Sequence, residues 1–140
     1  MHRRVSLLFL VALIAACGSA GSGRPAAIAA PEIRAGVAGT IFFGSGSTAP
    51  ANIDVEVTNV ANVPITLRRV EVDSPGMGTY ALRRASRIVR ETIAPGETKR
   101  VTVFATAVTT VRNPSEPLTI RVIAEFENGK DRWREITFAR

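Results

Sequence analysis

Apolar and polar residues alternate with a period of two along most of the chain, the repeat of half-buried β-strands. Residues 53–58 give the cleanest case, with Ile53, Val55 and Val57 facing in and Asp54, Glu56 and Thr58 facing out. Residues 118–126 set Leu118, Ile120, Val122, Ala124 and Phe126 on one face, and residues 99–107 do the same with Val101, Val103, Ala105 and Ala107. Residues 33–43 predict a first strand whose strongest part is Ile41-Phe42-Phe43. Short strands are expected around Tyr80 and Leu82 and over residues 87–93. Two segments change phase. In residues 65–73, Ile65 and Leu67 share one phase and Val70 and Val72 the other, which predicts a β-bulge near Arg68-Arg69. In residues 131–139, Trp133 opposes Ile136 and Phe138. Either a second bulge lies near Arg134-Glu135 or Trp133 faces out. Turn chemistry separates the strands: residues 59–64, Pro75-Gly76, Pro95-Gly96, and Asn128-Gly129 as a type I′ hairpin signal.

Strands recurring every ~8–12 residues, with no helical apolar spacing, define an all-β class: an antiparallel β-sandwich of about seven strands. It occupies residues 34–140, long enough for one core. Residues 53–107 resemble the Ig-like modules of exported bacterial proteins. The likeness rests on the Asn-rich turn at residues 59–64 and on the I-x-P-G-E-T-x-x-V-x-V run from Ile93 to Val103. The V-x-N…P-I-x-L pattern, from Val57 to Leu67, is similar to that of the LEA type 2 domain. Both resemblances imply the sandwich fold and no particular activity. The Cys…Trp…Cys core of antibody domains is missing.

The first residues follow another pattern. His2, Arg3 and Arg4 precede a largely apolar run over residues 5–16, the layout of a secretory signal. Twelve residues at ~1.5 Å each span about 18 Å, short of a hydrocarbon core of ~30 Å. The run ends in Ile14-Ala15-Ala16-Cys17, which resembles the lipobox of bacterial lipoprotein precursors. That resemblance implies removal of residues 1–16, acylation of Cys17, a membrane anchor, and a place in the bacterial cell envelope. Gly18, where an Asp would favour the inner membrane, implies the outer membrane. Cleavage after Ala20 to a soluble protein and an uncleaved helix are the competing readings. Residues 17–33 are rich in Gly, Ser, Ala and Pro and read as a tether with a mean reach of ~20 Å. A helical turn over residues 26–30, bracketed by Pro25 and Pro31, is the other option.

The whole chain carries a formal charge of +6, and loss of Arg3 and Arg4 with the signal lowers this to +4. A basic surface can meet an anionic envelope polymer through its field. Beyond residue 17 there is no histidine or cysteine. A disulfide, a Cys/His zinc site and a His-activated nucleophile are therefore excluded from the mature chain. No catalytic residue, metal ligand or cofactor is expected. Asp54, Glu56, Glu71 and Asp73 read as outward strand residues paired with Arg68, Arg69 or Arg83. The densest charge run is Arg83, Arg84, Arg87 and Arg90, a candidate anion-binding surface because guanidinium forks grip phosphate and carboxylate at two points. Its competing role is to charge a strand edge against aggregation. Expected partners are the membrane through Cys17, another envelope protein, or an anionic envelope polymer. Without an aromatic-interleaved platform, nucleic acid is not expected.

Overall fold

The computed structural model describes residues 23–76, 78–111, 114 and 116–140. Cys17, the signal segment and the start of the tether lie outside the described residues. Among the described residues eight strands are formed: β1 (Glu32–Val37), β2 (Thr48–Thr58), β3 (Ile65–Asp73), β4 (Tyr80–Leu82), β5 (Ala85–Ile93), β6 (Thr98–Thr109), β7 (Ile120–Asn128) and β8 (Asp131–Ala139). They build two four-stranded antiparallel sheets, in the orders β1-β2-β6-β4 and β5-β3-β7-β8. The triplets β1-β2-β6 and β3-β7-β8 match the A-B-E and C-F-G orders of an Ig-like sandwich. The segment between β3 and β6 starts against one sheet as β4 and crosses to the other as β5.

The core lies between the two inner faces. Ile53, Val55 and Val57 of β2 meet Val101, Val103 and Ala107 of β6 on one side. Leu67, Val70, Val122, Ala124 and Phe126 supply the other side. All are buried, as the period-two pattern requires.

The expected bulge is present. Leu67 pairs with Phe126 and Arg69 with Glu125, so Arg68 has no opposite number on β7. The extra residue resets the phase, and Ile65, Leu67, Val70 and Val72 all point inward. Across the other flank, Leu67 pairs with Glu91 and Arg69 with Ile88, leaving Val89 and Arg90 to face one residue. Arg90 takes φ +57°, alone among described non-glycine residues.

Four expectations are corrected. The first strand ends at Val37, because Gly39 at φ +85° turns the chain out of the ladder. Ile41 and Phe43 then pack on the core as a loop, and Phe43 meets Tyr80 edge-on at 5.8 Å. β2 starts at Thr48, inside the expected loop, and includes Pro50. β1 pairs only with residues 53–58 of β2, so the missing Pro50 N–H faces no strand. The β7–β8 turn is Gly129-Lys130, one residue later than the sequence signal. Only its first central residue has positive φ, which fits a type II′ turn and not I′. Finally, β8 has regular register and Trp133 faces in. Its indole stacks on Phe126 at 5.6 Å, with its N–H unmatched among the described residues. Ile136 and Phe138 face out instead.

Residues 23–33 are also not all tether. Ile28 is 6% exposed and belongs to the core, and Pro31 is buried. Arg24 donates from Nε to Glu135 at 2.8 Å and from Nη1 to the Ile28 carbonyl at 2.5 Å. This segment plugs the side of the sandwich where β1 and β8 lie.

Candidate functional site

The four strand carboxylates divide between opposite faces of the molecule. Asp54 and Glu56 lie on the outside of the β1-β2-β6-β4 sheet, Glu71 and Asp73 on the outside of the other. Asp54 accepts from Thr102 Oγ1 at 2.6 Å, and Glu56 pairs with Arg100. Glu71 pairs with Arg84 at 3.3 Å. Asp73 accepts from Arg121 Nε at 2.7 Å and Nη2 at 2.5 Å, with Arg84 at 3.5 Å. The Arg121 fork, aided by the charge of Arg84, holds the Asp73 carboxyl below the usual range although burial opposes this. The partners are therefore Arg84, Arg100 and Arg121, not Arg68, Arg69 or Arg83. Each of the four carboxylates is thus engaged by a hydroxyl or a guanidinium. Among the described residues no group of three or more Asp, Glu, His or Cys could hold a metal ion.

The Arg83–Arg90 run divides as well. Arg83 and Arg84 lie at the crossing between β4 and β5, where the Arg83 N–H donates to the Thr106 carbonyl at 2.8 Å. Arg84 is engaged by Glu71 and Asp73. Arg87 reaches across to the other sheet and donates to the Thr102 carbonyl at 2.9 Å. Arg90 sits at the bulge. Two of the four are thus held by different partners, Arg84 by carboxylates of β3 and Arg87 by a carbonyl of β6.

A different trio does converge. Arg68 of β3 and Arg132 and Arg134 of β8 flank the central strand β7 on the outer face. Arg68 and Arg132 share Glu127, at 3.0 and 3.5 Å, and Arg134 pairs with Glu125 at 3.0 Å. With Phe126 and Trp133 beneath, they line a trough of about 300 Å³. Three guanidiniums face two carboxylates, so one positive charge is uncompensated within it. Arg132 and Arg134 are mostly exposed. The sequence offered one clue, the alternation of Arg132 and Arg134 opposite Glu127 and Glu125. The bulge that turns Arg68 toward Glu127 supplies the third member.

A second trough, of about 260 Å³, lies on the opposite face over Gly36, between Arg34, Arg100, Asp54 and Glu56, with charges balanced. Farther along β8, past Arg132 and Arg134, the same outer row continues as Ile136 and Phe138, 59% and 61% exposed. β8 is an edge strand.

The fold is an antiparallel β-sandwich of two sheets. No protein-family model matches the chain, and no curated protein matches it. It is similar to a solved structure of a protein from Archaeoglobus fulgidus, with 14% identity and a TM-score of 0.47, covering 79% of this chain and 93% of that one. It is also similar to a FixG-related protein from Vibrio parahaemolyticus, with 7% identity and a TM-score of 0.39, at the same coverages.

Proposed function

We propose that the chain is a lipid-anchored, non-catalytic module of the bacterial cell envelope that docks another envelope protein. The observation that carries this reading is Cys17, the chain's one cysteine, placed at the end of an apolar run too short to span a bilayer. One acyl chain holds a protein marginally, whereas two hold it stably. The docking half is supported by Ile136 and Phe138, exposed side by side on one face of an edge strand. Such a strand offers both apolar contacts and backbone hydrogen bonds to a partner. The rival role, an anionic polymer on Arg83, Arg84, Arg87 and Arg90, draws less support because Arg84 and Arg87 already have intramolecular partners.

Metabolic labelling with a fatty acid tests the anchor. Cys17→Ala abolishes the label and releases the protein from the membrane fraction. A variant that stays bound at unchanged size refutes the lipobox. In-cell crosslinking tests the docking. Ile136→Thr with Phe138→Thr removes the crosslinked partner, while Arg83, Arg84, Arg87 and Arg90 changed together to Ser retain it. The opposite outcome moves the function to the arginines.

A further inference from the structure

The described chain begins at Gly23, beside the start of β8: a Cβ built on Gly23 would lie 3.7 Å from the Arg132 carbonyl oxygen. Arg24 is fixed there by Glu135 of the same strand. Only five residues, Gly18 to Ser22, separate Gly23 from Cys17. Six backbone steps cannot reach farther than about 20 Å. If Cys17 is acylated, as proposed above, the start of β8 is thus held close to the lipid surface, and the sandwich cannot float freely over it. The polar layer of a bilayer is itself ~6–7 Å deep on each side. The Arg68–Arg132–Arg134 trough lies at this same end of β8, with the hairpin cation Lys130 next to it.

On this basis we infer that the trough of Arg68, Arg132 and Arg134 is a membrane-facing site for the phosphates of anionic phospholipid headgroups, setting the orientation of the anchored domain. Guanidinium forks match phosphate oxygens. Glu125 and Glu127 hold the arginines in place without neutralising all three. The attraction acts within a Debye length of ~10 Å, so it needs the short leash. Arg132 and Phe138 are six residues apart, about 20 Å along an extended strand. The apolar docking end of β8 is then directed away from the bilayer, and a single strand carries a lipid-facing cationic end and a partner-facing apolar end.

Trp133, the one tryptophan, gives a native donor next to the trough. Acylated protein purified from cells is reconstituted into phosphatidylcholine vesicles, with or without phosphatidylglycerol, carrying a dansyl headgroup acceptor. Energy transfer from Trp133 is expected to rise severalfold with phosphatidylglycerol. It should fall to the neutral-lipid value in high salt and in Arg68→Ser, Arg132→Ser, Arg134→Ser. The corresponding three Lys substitutions restore it in part. Equal transfer in both vesicle types, or a triple Ser variant that matches the wild type, overturns the inference while the acyl label stands. Competition by inorganic phosphate beyond that of chloride at equal ionic strength also overturns it, in favour of a free-phosphate site. Absence of the acyl label on the wild type removes the anchor reading and this inference together.

Discussion

Asn59 donates from Nδ2 to the carbonyl of Ile93 at 2.9 Å, joining two turns that are far apart in sequence. The same amide donates to the Val63 carbonyl at 2.8 Å, and its Oδ1 accepts from the Ala61 N–H at 2.9 Å. The Asn59 backbone N–H donates to the Glu97 carbonyl, and its carbonyl accepts from Gly96. Asn59 has no exposed surface. Asn59→Ala strands buried carbonyls and an N–H, and should cost about 3 kcal/mol in urea denaturation. Asn59→Asp should not rescue, because a carboxylate cannot donate to Ile93 or Val63.

Asp73 gives the fold a pH dependence. Its folded pKa is depressed, so the unfolded chain binds more protons once pH drops below the ordinary Asp value of ~3.9. Its stabilisation is full above that value and is lost as pH falls through the folded pKa. Denaturation midpoints should decline from about pH 4 downward, and the decline should be shallower in Asp73→Asn. Near neutral pH, Asp73→Asn should itself be less stable by about 2 kcal/mol, through loss of the charged bonds to Arg121.

Arg90 occupies the left-handed region at φ +57°. That conformation costs an L-residue about 1 kcal/mol, and more with a β-branched side chain. Arg90→Gly is therefore expected to raise stability by up to about 1 kcal/mol, and Arg90→Val to lower it by 1–2 kcal/mol, roughly. Thermal melts of the pair give opposite signs if the bulge is retained.

Ile28 places the domain boundary. Ile28→Ala should cost about 2–3 kcal/mol, as for other buried aliphatic truncations. A chain starting at residue 34 should lose more than this, since Pro31 and the Arg24–Glu135 pair go with it. Equal melting of chains starting at residues 23 and 34 would show that the plug contributes nothing.

The contrast between Ile28 and β7 explains what the sequence could tell. Five alternating apolar residues from Leu118 to Phe126 make a periodic signal, and the phase change at Arg68-Arg69 left only a bulge to reconcile its halves. Ile28 stands alone among Ala and Pro, and one apolar residue has no period. β8 carries two apolar residues in one phase, Ile136 and Phe138, and only Trp133 in the other, so its pattern alone points to the wrong buried face. Burial went to the larger ring, which stacks on Phe126. An edge strand can leave Ile136 and Phe138 to solvent. The arginine trough was hidden because its members come from strands that meet only through β7. The Arg83–Arg90 run was conspicuous in the sequence for the opposite reason, its members being neighbours along the chain.

The plug at Ile28 also fixes how the domain would bear a pull. Any tension arriving through residues before Gly23 meets the Arg24–Glu135 link and the Ile28 wedge before it reaches the β1–β2 ladder. The first event under load is extraction of that wedge, not unzipping of a sheet. The segment is a mechanical fuse, held among other contacts by Ile28, by the buried Pro31 and by the Arg24–Glu135 pair.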